Sequence, residues 1–162
     1  SKRANHLHIA ISPTKSMDRL EWFIEKVVEI GIDEISLIQC KNSERTKIKM
    51  DRCEKIIMSA TKQSLKSFLP RLNPLIQFDE FINKIHIEVA KSIGYLGNQE
   101  ATLLSDYHYG KKSHLICIGP EGDFSPDEVK IAIENGFEII SLGKSRLRTE
   151  TAGVVASTLI NS

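Results

Sequence analysis

The chain has 162 residues, a length that suits one domain with a sizeable core. Its 22 lysines and arginines against 21 aspartates and glutamates leave a formal net charge of +1, so total charge argues neither for nor against a polyanionic partner. Three cysteines with no CxxC, and no histidine at ligand spacing, exclude a disulfide framework and a zinc site. No apolar run approaches the ~20 residues of a membrane span, so the expectation is a soluble, cytoplasmic protein without a metal.

Residues 6–11, HLHIAI, place Leu7, Ile9 and Ile11 at the period of a strand. From Met17 onward Leu20, Phe23, Ile24, Val27 and Val28 form a helical stripe, with Trp22 expected to pack on the same helix and Gly31 at the position of a left-handed terminator. EISLIQ, residues 34–39, reads as the second strand. A longer helix is predicted over about 49–66, with Cys53, Ile56, Ile57 and Ala60 on one face, before Pro70 and Pro74 punctuate the chain. PLIQF and IHIEVAK are the next strands, with a short helix between them.

HLICI, residues 114–118, has the composition of a buried strand, and Cys117 belongs to its core. After a glycine-flanked loop, Ser125, Pro126 and Glu128 supply an N-cap, a first-position proline and a third-position glutamate, so a helix starts there and ends at Asn135-Gly136. FEIISL, residues 137–142, gives another strand, and a small-residue helix closes the chain over about 149–159. Strands alternating with helices define an α/β domain with a mostly parallel sheet flanked by helices. In such sheets ligands bind beyond the carboxyl ends of the strands. Both loops rich in glycine and charge, IGPEGDF and LGKSRLRTETA, fall at those ends.

In GPEGD, two glycines around Pro120-Glu121 permit a tight turn and a close backbone approach, and the next helix offers N–H donors nearby. The loop is either a plain strand-to-helix turn or a polar-ligand site; it is neither a dinucleotide fingerprint nor a P-loop. The second loop puts Lys144, Arg146 and Arg148 ahead of a helix whose dipole they oppose, which calls for a compensating partner: Glu150, solvent or a bound anion. Residues 45–71 carry eight cations against two acids, the make-up of either a phosphate-tracking face or a solvated helix surface. Arg45, Arg52, Lys62, Gln63 and Lys66 are the candidate RNA-binding residues within it. The five histidines form no catalytic or metal-binding pattern. These residues alone leave three readings open: an enzyme, a non-catalytic RNA-binding module, or an α/β protein for a phosphorylated metabolite.

Taken together, IGPEGDFSPDE and LGKSRLRTETA resemble the paired loops of the ribosomal RNA small-subunit methyltransferase E family, within the SPOUT superfamily. EKVVEIGIDEI, SERT and SATKQSLKSFLP are similar to further segments of that family, so the resemblance covers nearly the whole chain. It implies an α/β fold with a C-terminal trefoil knot, a homodimer, S-adenosylmethionine as cofactor, and methylation of N3 of a uridine in 16S ribosomal RNA of the small subunit. It also implies that residues 1–162 form the catalytic domain, with the family's N-terminal PUA-like RNA-binding domain absent from this chain.

Carried over by position, the cofactor cradle is Gly119, Pro120, Glu121, Gly122, Leu142, Gly143, Leu147, Arg148 and Thr149, with a further contact around residues 93–96. Arg148 is the expected stabiliser of the developing uridine anion, and Glu150 or Glu121 the expected base or arginine-orienting group. Three positions depart from the family pattern: Asp123 replaces a glycine, Arg146 an isoleucine and Lys66 an arginine.

Overall fold

The computed structural model describes residues 6–85, 90–95, 102–103, 113–142 and 147–161. Among the described residues seven strands form one sheet: β1 (Leu7–Ile11), β2 (Glu34–Gln39), β3 (Arg71–Gln77), β4 (Ala90–Gly94), β5 (Thr102–Leu103), β6 (His114–Ile118) and β7 (Glu138–Ser141). Their order is β3-β2-β1-β6-β4-β7-β5, and every pairing is parallel. The helices are α1 (Met17–Ile30), α2 (Met50–Gln63), α3 (Phe78–Lys84), α4 (Pro126–Glu134) and α5 (Thr149–Asn161). The expected C-terminal knot falls on a stretch of chain that includes residues 96–101, 104–112 and 143–146, which lie outside the described residues.

All five residues of β1 and of β6 are buried, as in a sheet covered on both faces. One core joins Leu7, Ile9, Ile35, Leu37 and Ile116 to the apolar stripes of α1, α2 and α5. The other joins Ala10, Ile38, Ile93, Leu115 and Cys117 to Phe78 and Phe81 of α3 and to Val129 and Ala132 of α4. Helix α5 lies so close to α1 that a Cβ on Gly153 would stand 2.3 Å from the Phe23 ring.

Several local expectations are met. β2 and β6 begin and end where their patterns place them. Ser125 Oγ accepts from the Glu128 N–H at 3.2 Å, and Glu128 Oε1 accepts from the Ser125 N–H at 2.8 Å, completing the capping box.

Other expectations need correction. Gly31 has φ 125°, positive but beyond the left-handed helical region. β3 begins three residues ahead of Pro74, because it is an edge strand and its register shifts between the Asn73 and Ile76 pairings, where a missing N–H costs no ladder bond. Trp22 is 42% exposed rather than packed. The first part of the IHIEVAK segment, residues 86–89, lies outside the described residues.

Candidate functional site

Beyond the carboxyl ends of β4, β6 and β7 lies a crevice open to solvent on one side. Its floor is Gly94 and Tyr95 after β4 and Ile118 at the end of β6; one wall is Gly119, Pro120, Glu121 and Asp123. Ile140 and Ser141 of β7 and Leu142 just after it, with Leu147 just ahead of α5 and Thr149 and Ala152 in its first turns, form the other wall. The two loops singled out in the sequence therefore face each other. Thr149 Oγ1 donates to the Gly119 carbonyl oxygen at 3.0 Å, tying them together.

The cradle residues other than Gly143 fall among the described residues. Gly119, Pro120, Glu121, Leu142, Leu147 and Thr149 line the crevice; Gly143 lies outside the described residues, as do Lys144 and Arg146. Gly122 is exposed and turned away: a Cβ there would meet the Asn42 side chain at 3.2 Å. Arg148 is exposed beside the crevice rather than in its lining, with its carbonyl accepting from the Ala152 N–H at 2.8 Å. Of residues 93–96, Gly94 and Tyr95 reach the crevice, Ile93 is fully buried in the core, and Leu96 is outside the described residues. Asp123, singled out in the sequence as a departure from the family pattern, also lines the crevice, whereas Ile118, Ile140, Ser141 and Ala152 are lining residues that the sequence reading did not single out. Ile140 and Ser141 sit at the end of a predicted strand, which was the available signal.

The first loop holds its shape through local and distant bonds. Asp123 has φ 68°, a left-handed conformation that suits the glycine the family pattern carries there. Its N–H donates to the Pro120 carbonyl at 2.8 Å, while its Oδ1 accepts from the Phe124 N–H at 2.8 Å. Gly119 packs beneath the Phe124 ring, which a Cβ would approach to 2.9 Å. From the β2–α2 loop, Asn42 Nδ2 donates to the carbonyls of Gly122 and Asp123 at 3.3 and 3.1 Å, and the Lys41 N–H donates to Glu128 Oε2 at 3.0 Å.

The basic stretch does not form one surface. Arg45 donates from Nε and Nη2 to the Thr14 and Lys15 carbonyls, with the shortest bond 2.7 Å, clamping two loops at the carboxyl edge of the sheet. Arg52 is held by Glu21 at 2.9 Å. Helix α2 then runs about 20 Å back across the sheet, so exposed Lys62, Gln63 and Lys66 stand at the opposite edge, where Lys66 lies beside Val28, Gly31 and Ile32.

The acids also separate. Glu121 is exposed on the crevice wall, its Oε2 3.5 Å from the Lys15 N–H. Glu150 is buried, and its ion-pair partner is Arg19 of α1 rather than a cation of its own loop. Burial pushes the Cys40 and Cys117 thiols far up, so neither offers a thiolate near neutral pH. Among the described residues no group of three or more His, Cys, Asp or Glu could hold a metal ion, and no helix is long and apolar enough to cross a membrane.

This arrangement defines an α/β protein with a parallel sheet and a ligand crevice closed by two loops at its carboxyl edge. The chain belongs to the RNA methyltransferase domain family, which matches residues 1–161. It is 33% identical over 153 residues to the ribosomal RNA small subunit methyltransferase E of Mesomycoplasma hyopneumoniae (strain 232), covering 91% of this chain and 65% of that protein. A probable rRNA-methyltransferase from Porphyromonas gingivalis is similar in structure, with a TM-score of 0.90 and 46% identity over 96% of this chain and 66% of that one. A ribosomal RNA small subunit methyltransferase E from Neisseria gonorrhoeae, solved bound to S-adenosyl methionine, gives a TM-score of 0.85 and 29% identity over 96% of this chain and 65% of that one. The chain spans between about half and two thirds of the length of the curated relatives it matches.

Proposed function

We propose that residues 1–162 form the catalytic domain of an S-adenosylmethionine-dependent methyltransferase that modifies N3 of a uridine in 16S ribosomal RNA of the small subunit. The observation that carries this reading is the crevice between the two loops, closed by the Thr149–Gly119 bond. Its lining fits a nucleoside-bearing cofactor: Ile118, Ile140, Leu142 and Leu147 offer apolar faces for a flat heterocycle, and the backbone around Gly119 and Pro120 offers polar groups at its edge. The relatives' names and the S-adenosyl methionine bound to the Neisseria protein support the same assignment.

S-adenosylmethionine, when bound, supplies an electrophilic methyl group. The chain's task is to hold donor and acceptor in line, which can be worth ~7–11 kcal/mol, and to deal with the proton on uridine N3. Arg148, exposed and next in sequence to the lining residues Leu147 and Thr149, is the proposed stabiliser of negative charge growing on the uracil ring. Glu121, exposed on the opposite wall, is the carboxylate available to accept the N3 proton. Glu150 is buried against α1, a location that suits an orienting role better than proton transfer.

Exposed Lys62, Gln63 and Lys66 form a separate cationic tip for RNA at the far edge, while Arg45 and Arg52 serve the fold. A homodimer accords with part-exposed Val154, Val155, Leu159 and Ile160 on α5 and exposed Trp22 on α1, which a second copy would cover.

Calorimetry on the full-length protein tests the assignment: S-adenosylmethionine binds and S-adenosylhomocysteine displaces it. Arg148→Ala nearly abolishes methyl transfer with cofactor affinity within a few-fold of wild type. Absence of cofactor binding, together with competition by phosphate or a nucleotide, would reject the enzyme.

A further inference from the structure

Glu150 lies in the first turn of α5 with only 5% of its surface exposed, and its Oε2 accepts no hydrogen bond among the described residues. A buried carboxylate is costly unless a cation or donors compensate it. Among the described residues the cation within reach is Arg19, in the first turn of α1, whose Nε stands 3.8 Å from Glu150 Oε1. That separation gives an ion pair without a hydrogen bond, and the Arg19 side chain remains 44% exposed. The acid two residues on, Glu21, is engaged by Arg52 at 2.9 Å and does not neutralise Arg19. The result is a part-exposed guanidinium beside a buried charge, a form suited to paired donation to an oxyanion.

Its location identifies the oxyanion. Arg19, in the first turn of α1, follows the β1–α1 loop, where the Lys15 N–H is 3.5 Å from Glu121 on the crevice wall. Arg19 is not itself part of the crevice lining, so a cofactor held there leaves it free. An RNA strand that delivers a base into the crevice brings its phosphates to the carboxyl edge of the sheet, the edge at which α1 and Arg19 begin.

We infer that Arg19, positioned by Glu150, binds a backbone phosphate of the RNA whose uridine enters the crevice. This rests on the methyltransferase reading. It makes Glu150 a positioning residue and puts the principal phosphate contact at the carboxyl edge of the sheet, on a residue outside the basic stretch.

The test uses full-length wild type, Arg19→Ala, Arg19→Lys and Glu150→Gln. Binding to small ribosomal subunits lacking the modification is measured across roughly 50–200 mM salt, and S-adenosylmethionine affinity by calorimetry. Arg19→Ala weakens RNA binding about tenfold and reduces the salt slope by about 1, with cofactor affinity unchanged. Arg19→Lys keeps the slope and loses several-fold in affinity, because the charge stays and the fork goes. Glu150→Gln weakens RNA binding in the Arg19 background but adds nothing to Arg19→Ala, a non-additivity that a purely structural role would not produce.

An unaltered salt slope in Arg19→Ala reduces Arg19 to a counter-ion of Glu150 and overturns the proposal. Weaker cofactor binding with RNA binding intact assigns the oxyanion to the cofactor's carboxylate and also overturns it. Arg19 is exposed, so its result stands whether or not Glu150→Gln folds. Failure of the wild type to bind S-adenosylmethionine rejects the methyltransferase reading separately, while the RNA salt slope still decides the role of Arg19.

Discussion

Thr149 Oγ1 donates a 3.0 Å hydrogen bond to the Gly119 carbonyl, joining the first turn of α5 to the loop after β6. Thr149 is 4% exposed, so Thr149→Val keeps the volume and leaves that carbonyl without its partner. The expected cost is about 1–3 kcal/mol of stability, read by denaturant unfolding, together with a several-fold loss of cofactor affinity. Thr149→Ser restores most of both. Unchanged affinity in Thr149→Val would show that the clasp does not shape the crevice.

Helix α5 approaches α1 through Gly153, where a Cβ would stand 2.3 Å from Phe23 Cε1 and 2.7 Å from Cδ1. Phe23 is fully buried and cannot swing aside. Gly153→Ala therefore destabilises by about 1–3 kcal/mol through overpacking. Phe23→Leu in the same chain recovers part of that loss, so a double-mutant cycle in thermal denaturation returns a coupling well above zero. Additive effects would mean that the helices separate freely.

Asp123 holds φ 68° with its own carboxylate bonded to the Phe124 N–H. Asp123→Ala keeps the strained backbone and removes that bond, so it costs about 1–2 kcal/mol. Asp123→Gly relaxes the strain and loses the bond, and the two effects offset to within about 1 kcal/mol. Equilibrium unfolding of the two variants gives the comparison; an equal loss in both would exclude backbone strain at this position.

At the amino edge of the sheet, burial lowers the pKa of His8 from 6.5 to about 4, with Glu34 opposing the shift and His6 and Arg71 reinforcing it. Its Nε2 lies 2.7 Å from Ser36 Oγ. Between pH 6.5 and 4 the unfolded chain carries a proton at His8 that the folded chain does not. Stability is therefore full above about 6.5 and falls as the pH drops through that window, by about 3 kcal/mol at most. Glu34, whose pKa is lowered through its contacts with His8, Asn73 and His6 against the opposing effect of burial, adds a further loss below its ordinary value. Urea unfolding at pH 7 and pH 4.5 measures the fall, and His8→Gln flattens its upper part.

Segments whose pattern is local were legible in the residues. β2, β6 and the Ser125–Glu128 cap depend on alternation, apolar runs and a four-residue motif, and they form as read. The position of the two loops at one edge of the sheet was legible because a parallel sheet puts its strand-to-helix turns there. What sequence could not show is non-local. Ile140 and Gly94 share the crevice because β7 pairs beside β4, a register no periodicity reveals. The charge count over residues 45–71 treated α2 as one face, although the helix crosses the sheet and parts Arg52 from Lys66. Arg19 and Glu150, far apart in sequence, meet only when α5 packs on α1.

The most direct measurement of the central claim is methylation of small ribosomal subunits lacking the modification by the full-length protein with labelled S-adenosylmethionine, followed by mapping of the product. The account requires label at N3 of one uridine in 16S ribosomal RNA, lost in Arg148→Ala. Label on another atom or another RNA, or no transfer from protein that binds the cofactor, would contradict it.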